Sequence, residues 1–245
     1  MHLLVKETTA LNEISVYEST ELYGELGKFR YLQFSDDAVQ GAIDLKDPKR
    51  IVLEYPRAII HLMESNHPSF GSIFVIGHGI GTIAGRYPDK RLLVAEIDEK
   101  VVELSRMYFH YRGDHVRIGD GRLLLEQVDL HSLDYVVVDA FTQKGTPRHL
   151  TSSEFFRLTK DKLISRGAVI LNLMGKPGND KRINAIYTTL HEHYLYAKAF
   201  YLPGTDGADI HNMLLIAGDQ EIQFHPREMA GFQEVELEPG YVIMD

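Results

Sequence analysis

Four short segments of this 245-residue chain carry the residues that could do chemistry, and each follows an apolar run. They are Gly77-His78-Gly79-Ile80-Gly81, Ala95-Glu96-Ile97-Asp98, Gly119-Asp120-Gly121 and Val138-Asp139. Glycine lets a backbone approach a ligand closely, and carboxylates accept hydrogen bonds from hydroxyl and amino groups. The carboxyl ends of parallel strands lie along one edge of a sheet, where ligands bind. The four segments therefore predict one binding site at that edge.

The glycine segment is a weak signal when it is taken alone. Gly77, Gly79 and Gly81 alternate, which permits close approach to a ligand and leaves a helix N-terminus facing it. A dinucleotide-binding loop needs its third glycine one place later, where this chain has Thr82. A plain tight turn between a strand and a helix would have the same pattern.

The next two segments favour an adenosine ligand. Glu96 follows Gly77 by 19 residues, where a carboxylate can accept hydrogen bonds from both ribose hydroxyls. Asp98 is assigned mainly to capping the helix that follows it. Asp120 can accept a hydrogen bond from an adenine amino group, and Gly121 beside it permits close approach. Taken alone, Glu96 could be a surface acid after a strand, and Gly119-Asp120-Gly121 could be a simple turn. Together with the glycine segment, each of them would act on a different part of one nucleoside.

Asp139 ends the fourth predicted strand of the main sheet and overlooks the reactive end of such a nucleoside. A carboxylate at that place is a candidate general base. The alternative is that Asp139 only caps a turn or holds an amino group of the ligand. Phe141, two residues later, is expected to form part of the pocket wall.

Metal and serine-nucleophile chemistry are not predicted. The twelve histidines form no metal-binding pattern, and His191 and His193, two residues apart, fall on different faces of a helix. The chain has no cysteine, no H-E-x-x-H and no G-x-S-x-G segment. We therefore expect no structural or catalytic metal.

The elements that must position these residues alternate between strand and helix. Continuous apolar strands separated by helices predict an α/β fold, a doubly wound, mostly parallel Rossmann-like sheet of the S-adenosylmethionine-dependent methyltransferase type. Predicted strands span 72–76, 92–97, 116–118, 135–138, 168–173, 196–201 and 212–217, and predicted helices span 55–64, 99–108, 121–128, 152–163 and 182–194.

A different pattern precedes this alternation. Residues 14–43 are rich in β-forming residues, with turn chemistry at 35–37, and predict a small antiparallel sheet. After Asp47-Pro48 the pattern becomes helical. The expected division is therefore a small N-terminal β segment, 1–48, and a Rossmann-like nucleoside-binding domain, 49–245. The acidic stretch from Asp219 onward gives no prediction.

Composition excludes several other classes. Hydrophobic residues make up 44% and charged residues 25%, as in folded globular proteins, and the formal net charge is −9. An acidic protein is not attracted to nucleic acids or to anionic membrane surfaces. The absence of cysteine, of a leader-like N-terminus and of any run of about 18 apolar residues favours a cytoplasmic protein without membrane spans.

Taken together, the motifs resemble the polyamine aminopropyltransferases (spermidine and spermine synthases), and more specifically their spermidine synthase-like relatives. The similarity extends from about Val16 to Ala217. The resemblance implies a transferase of polyamine biosynthesis that uses S-adenosylmethionine or its decarboxylated form as co-substrate. It also implies a homodimer and a small-molecule acceptor.

The resemblance further implies a role for each matching residue. Gln40 would contact the aminoacyl or aminopropyl end of the nucleoside. Glu96 would hold the ribose and Asp120 the adenine. Asp139 would take a proton from the attacking amine, and Tyr55 would line the substrate groove.

Two positions depart from the family pattern. Ile80 stands where the glycine loop of the family has an acid, and Thr142, in the substrate-binding loop, stands where it has a second acid. Both acids ordinarily grip cationic amines, and losing one such contact typically costs about 1.5–3 kcal/mol. The expected function is therefore a spermidine synthase-like transferase whose acceptor is not a simple diamine.

Three alternatives remain open from the sequence. An authentic spermidine synthase could compensate with other acids, namely Asp206, Asp209 or Glu54. A catalytically silent nucleoside-binding protein could keep the same fold. An NAD-dependent oxidoreductase fits worse, because the glycine spacing differs and Asp120 would be idle.

Overall fold

The chain folds around two β-sheets, one antiparallel and one mostly parallel. The computed structural model describes residues 1–34, 39–142, 145–177, 180–204 and 210–245. The predicted turn at 35–37 lies outside these residues. Within them, no helix is both long enough and apolar enough to cross a membrane.

The N-terminal sheet has four antiparallel strands in chain order: β1 (His2–Thr8), β2 (Glu13–Leu22), β3 (Glu25–Phe34) and β4 (Val39–Asp44). The predicted small antiparallel sheet is confirmed, but the sequence analysis missed β1. Ile14, Val16 and Leu32 are fully buried and face the main domain, where Val101 and Phe109 pack against them. Burying such a side chain stabilises the fold by about 1.5–3 kcal/mol, so this sheet is fixed to the domain.

The elements after the N-terminal sheet are α1 (Glu54–Asn66), β5 (Ser72–Ile76), α2 (Thr82–Arg86), β6 (Arg91–Glu96), α3 (Glu99–Tyr108), β7 (Val116–Ile118), α4 (Gly121–Glu126), β8 (Leu133–Val138), α5 (Ser153–Lys162), β9 (Leu163–Gly175), α6 (Lys181–His191), β10 (Tyr196–Tyr201), β11 (His211–Gly218) and β12 (Gln233–Val235). The main sheet has eight strands in the order β12-β10-β11-β9-β8-β5-β6-β7. Strands β5 to β9 run parallel, and β11, next to β9, runs antiparallel to it. This confirms the predicted doubly wound sheet.

Apolar side chains cover both faces of this sheet. Val75 and Val137 belong to the core on one face, and Phe74 and Val136 to the core on the other. A strand that is buried on both faces needs apolar residues at every position, which is why these strands appear as continuous apolar runs.

The two largest boundary differences from the sequence prediction lie in β9 and α6. Strand β9 begins at Leu163 rather than at residue 168, and α6 ends at His191 rather than at residue 194. The short helix α2 was not predicted. The stretch after Asp219, for which no prediction was made, contains β12 and buries Met229 and Phe232 against the main core.

Candidate active site

The carboxyl ends of β5, β6, β7 and β8 meet where the strand order reverses. The Gly77 amide donates to the Ala95 carbonyl, the Gly119 amide to the Glu96 carbonyl and the Asp139 amide to the Ile76 carbonyl, each at 2.8 Å. Backbone hydrogen bonds therefore bring together the four segments that were singled out from the sequence.

A cavity opens at this point, between the strand ends and the N-terminal sheet. It is lined by every predicted site residue except Gly81: Gln40, Tyr55, Gly77, Gly79, Glu96, Asp120, Gly121, Asp139 and Thr142. Phe141, expected as a wall residue, also lines it. Leu11 and Asn12 from the β1–β2 turn and Phe34 from β3 add a wall from the N-terminal sheet.

Gly77 and Gly79 shape the glycine loop. Both have positive φ angles, +98° and +54°. A Cβ at Gly77 would lie 1.9 Å from the backbone oxygen of Asp139, and one at Gly79 would lie 3.2 Å from the backbone oxygen of Gln40. Glycine is required at Gly77 because two backbone segments approach each other closely there.

Gly81, which was predicted to contact the nucleoside, does not line the cavity. Its φ is +84° and it precedes α2 as the N-cap residue. A Cβ there would meet the rings of Tyr111 and His78 rather than the cavity. The structure therefore separates Gly81 from the other proposed nucleoside-contacting residues, because its glycine is needed for packing behind the loop.

Glu96 is 8% exposed and is held by backbone amides. Its Oε2 accepts from the His78 amide at 2.8 Å and its Oε1 from the Asp98 amide at 2.9 Å. Burial raises the pKa of Glu96, and these hydrogen bonds oppose that rise. Each carboxylate oxygen has two lone pairs, so both can still accept from a hydroxyl group.

Asp98 caps the next helix, as the sequence indicated. Its Oδ1 accepts from the Lys100 amide at 3.1 Å at the start of α3. Its Oδ2 also accepts from the Thr9 hydroxyl at 2.6 Å, which connects the β1–β2 turn to the end of β6.

Asp120 caps α4 while it lines the cavity. Its Oδ1 accepts from the amides of Arg122 and Leu123 at 2.9 and 3.1 Å. Its Oδ2 lies 2.9 Å from Nε2 of His149, a cavity residue that the sequence analysis missed. An adenine amino group would thus share this carboxylate with three existing donors. Gly121, at the start of α4, lies so close to Ile76 that a Cβ would come within 2.3 Å of its side chain.

Asp139 is held by side chains. Its Oδ1 accepts from Nδ2 of Asn172 at 2.8 Å. The Tyr55 hydroxyl donates to the Gln40 backbone oxygen at 3.2 Å and also lies beside Asp139. Burial raises the pKa of Asp139 to about 6, while hydrogen bonds from Asn172 and Tyr55 hold it lower than burial alone would. A carboxylate with this pKa is ionised at neutral pH and can accept a proton.

Asn172 and its partner Asn212 were missed from the sequence. Asn172 is 1% exposed in the middle of β9, and its Oδ1 accepts from Nδ2 of Asn212 at 3.2 Å. The available signal was an amide side chain inside the apolar run of 168–173. Such a residue needs a buried hydrogen-bonding partner.

The two positions that depart from the family pattern differ in their surroundings. Ile80 is 6% exposed and packs with Ile14, Val16 and Leu32 under the N-terminal sheet. It does not line the cavity described above, but it lines a smaller adjoining pocket with Tyr55 and Asp139. Thr142 is exposed at the cavity, and its hydroxyl donates to the Gly145 backbone oxygen at 2.8 Å.

Of the three acids that could compensate for the missing family acids, the structure describes one, Glu54, and it lies outside the cavity. Glu54 starts α1, lies 3.3 Å from Arg57 and does not line the cavity. Asp206 and Asp209 lie outside the described residues. Over the described ranges, no three histidine, aspartate or glutamate side chains gather in a metal-binding arrangement.

The sheet order and the position of the cavity define an α/β fold of the methyltransferase type. The family model described as "Spermine/spermidine synthase domain" matches residues 52–198. The chain therefore belongs to the spermine/spermidine synthase family.

Curated relatives agree with this assignment. The chain is 30% identical over 175 residues to the polyamine aminopropyltransferase of Vibrio vulnificus, an alignment that covers 64% of this chain and 58% of that protein. It is 28% identical over 126 residues to putrescine N-methyltransferase 2 of Nicotiana attenuata, covering 47% of this chain and 34% of that protein. The chain thus matches little more than half the length of the first relative.

A solved structure confirms the fold. A probable spermidine synthase from Corynebacterium glutamicum superposes with a TM-score of 0.80 at 20% identity, covering 95% of this chain and 90% of that one. The predicted family and the predicted architecture, including the small N-terminal antiparallel sheet, are both confirmed.

Proposed function

We propose that this protein transfers an aminopropyl group from decarboxylated S-adenosylmethionine to an amine, and that Asp139 accepts the proton which the amine loses. The observation that carries the proposal is the Asp139 carboxylate, which lines the cavity at the end of β8 with a pKa raised to about 6. Together with the family membership, this favours proton transfer to Asp139 over a purely capping role.

The residues that line the cavity fit a sulfonium nucleoside. Glu96 offers free lone pairs on two fixed oxygens for the ribose hydroxyls, and Asp120 offers a carboxylate for the adenine amino group. Gly77 and Gly79 line the cavity with backbone alone, which permits the close approach of a ligand. The nucleoside would supply an electrophilic carbon next to a positively charged sulfur.

The protein takes part in one proton transfer. The Asp139 carboxylate removes a proton from the ammonium group of the acceptor, which frees the lone pair of the nitrogen. The nitrogen then forms a bond to the electrophilic carbon, the carbon–sulfur bond breaks, and its electron pair stays on sulfur. Tyr55 and Asn172 hold that carboxylate at the cavity wall, so that the amine meets a fixed acceptor.

The acceptor amine is proposed not to be a simple diamine. A diamine carries two positive charges, and the two positions at which the family places acids are occupied here by Ile80 and Thr142. The aromatic walls at Phe34, Tyr55 and Phe141 support an acceptor with an apolar body instead. An authentic spermidine synthase remains the competing proposal.

A second candidate is methyl transfer from S-adenosylmethionine. The similarity to a putrescine N-methyltransferase favours it, because that relative is named as a methyltransferase within the same set of matches. The same cavity and the same Asp139 would serve either transfer.

Product analysis separates these candidates. The purified protein is incubated with S-adenosylmethionine or its decarboxylated form, together with putrescine, an aliphatic monoamine or an aromatic monoamine. Methylthioadenosine as the nucleoside product indicates aminopropyl transfer, and S-adenosylhomocysteine indicates methyl transfer. Asp114→Asn, a change at a fully exposed acid, serves as the control for Asp139→Asn.

Three outcomes would count against the proposal. Rapid turnover of putrescine would overturn the part on the acceptor and establish the authentic synthase. Exclusive release of S-adenosylhomocysteine would replace aminopropyl by methyl transfer. Nucleoside binding without any product would favour the silent protein.

A further inference from the structure

We propose that Asn172 and Asn212 are positioning residues which form a two-amide chain and fix the Asp139 carboxylate for proton transfer. This inference rests on the proposed function for the role of Asp139, but the hydrogen-bond chain can be tested without turnover. Neither asparagine was expected from the sequence.

The geometry places the three side chains in series. Asn212 donates from Nδ2 to Oδ1 of Asn172 at 3.2 Å, and Asn172 donates from Nδ2 to Oδ1 of Asp139 at 2.8 Å. In the antiparallel register of β9 and β11, Asn172 pairs with Leu214 and Asn212 pairs with Met174. The two asparagines are thus diagonal neighbours on one face, within reach of each other.

The strand register also explains why Asn172 reaches Asp139. Val138 of β8 pairs with Leu171 of β9 in the parallel ladder, so Asp139 and Asn172 are the next residues along their strands. Asn172 lies within β9, where it pairs with Leu214 of β11 on the other side of the strand. It is therefore more precisely placed than a side chain on a loop.

The Asp139 carboxylate and the Asn212 amide favour the same orientation of the Asn172 amide. An asparagine amide has an acceptor oxygen and a donor nitrogen, and the two can exchange places by rotation of the group. An ionised carboxylate only accepts, so it takes the nitrogen of Asn172, and the Asn212 amide stabilises that orientation by donating to the oxygen of Asn172. The reversed amide would bring an oxygen against a carboxylate and leave two donors facing each other.

The hydrogen-bond chain from Asn212 and Asn172 therefore reaches one oxygen of Asp139 and stabilises the ionised carboxylate. Oδ1 accepts from Asn172, which fixes the position of that oxygen at the cavity wall. A donor aimed at a carboxylate favours the ionised state and opposes the effect of burial.

Few other groups influence this carboxylate. The Tyr55 hydroxyl on α1 is the other hydrogen-bonding side chain that acts on the Asp139 pKa. From β5 and its loop, Ile76 and Gly77 contribute backbone only. The remaining titratable side chains that line the same cavity are His78, Glu96, Asp120 and His149.

Titration of Asp139 tests the chain directly. Protein labelled with carbon-13 at the aspartate carboxyl groups is titrated by NMR, and the Asp139 signal is assigned by its absence in Asp139→Asn. The wild-type midpoint is expected at about pH 6. Asn172→Leu, which removes the donor at similar volume, should raise it by about one to two pH units.

Two further variants sharpen the test. Asn172→Asp keeps the shape and replaces the donor with a second carboxyl, so the first proton should bind to the pair at a still higher pH. Asn212→Ala should raise the midpoint by less than Asn172→Leu, because it acts only through the orientation of Asn172. Asn184→Leu, a change at another buried asparagine outside the cavity, should leave the midpoint unchanged.

An unchanged midpoint in folded Asn172→Leu or in Asn212→Ala would overturn the proposal. If Asn172→Leu does not fold, as judged by thermal unfolding, Asn172→Asp and Asn212→Ala decide the question. If the Asp139 midpoint shifts in these variants but the protein transfers no group, the hydrogen-bond chain would be supported and the proposed function refuted. In an active protein, the acid limb of kcat/KM must shift with the NMR midpoint.

Discussion

The two halves of the cavity hold their carboxylates in different ways. On the side proposed to hold the nucleoside, Glu96 and Asp120 each accept from two backbone amides, most of them two or three residues away in the chain. Asp120 also lies within hydrogen-bonding distance of the His149 side chain. On the reactive side, Asp139 accepts from the Asn172 side chain, 33 residues away. Three of the four amides belong to the acid's own turn and the fourth to His78 of the glycine loop, whereas Asp139 depends on the side chain of a neighbouring strand.

This difference separates binding from chemistry. Backbone amides cannot be removed by substitution of a side chain, so the nucleoside side is robust to changes elsewhere. The environment of Asp139 can be altered at Asn172, Asn212 or Tyr55 without touching the acid itself. We therefore expect variants that lose transfer while they keep nucleoside affinity.

The largest effect is expected for Asp139→Asn. The variant cannot accept the proton, so kcat should fall by about 10²–10⁴-fold, which is the usual contribution of a general base. Nucleoside affinity, measured by calorimetry, should remain within a few-fold of wild type. A parallel loss of affinity and turnover would mean that Asp139 serves mainly to bind the nucleoside.

The converse result is expected on the nucleoside side. Glu96→Ala or Asp120→Ala removes an acceptor for the ribose or the adenine, and each should weaken nucleoside binding by about 1.5–3 kcal/mol, roughly 10- to 150-fold in Kd. Calorimetry with decarboxylated S-adenosylmethionine and methylthioadenosine measures this directly. Unchanged affinity in both variants would remove the assignment of this half of the cavity.

The pH dependence of kcat/KM and of stability should reflect Asp139, on the reactive side of the cavity. Asp139 must be ionised to accept a proton, and its pKa is raised to about 6, so kcat/KM should fall about tenfold per pH unit below pH 6. Because its folded-state pKa exceeds the unfolded value of about 4, ionisation of Asp139 destabilises the fold progressively between about pH 4 and pH 6 and fully above pH 6. Asp139→Asn should consequently raise the melting temperature at pH 8 more than at pH 4. An acid limb that persists in the residual activity of Asp139→Asn would assign the titration to another group.

The smallest effect is expected for Thr142→Asp. Thr142 is exposed at the cavity, where a new ion pair with an amine contributes only about 0.2–1 kcal/mol, so KM for putrescine should fall by about 1.5- to 5-fold. Ile80→Asp is not a matching test, because it would place a carboxylate among the buried side chains of Ile14, Val16 and Leu32. A KM for putrescine that rises in Thr142→Asp would contradict an amine-binding role for this loop.

The features that could be predicted from the sequence are those that depend on residues close together in the chain. The apolar strand runs, the alternating glycines and the Asp98 cap depend on residues close together in the chain, so their patterns are visible there. Gly81 matched the loop pattern, but its place behind the loop depends on Tyr111, 30 residues away. A motif can therefore contain one residue that serves packing rather than the ligand.

The features that were missed depend on long-range contacts. His149 reaches Asp120 from the segment after β8, and Asn212 reaches Asn172 from an antiparallel neighbour. Nothing near either residue in the sequence distinguishes it from an ordinary polar residue. The segment after Asp219 was likewise uninformative, because its buried residues show no helical or strand periodicity in the sequence. They become buried only through contact with the main sheet.

The hydrogen bond from Thr9 to Asp98 bears on the order in which the molecule folds. It joins residues 89 apart, and the turn that it anchors supplies Leu11 and Asn12 to the cavity wall. Closing so long a stretch of chain costs conformational entropy before the contact returns any stabilisation. We expect the cavity to be among the last parts of the protein to form, after each sheet has acquired its own strand pairing.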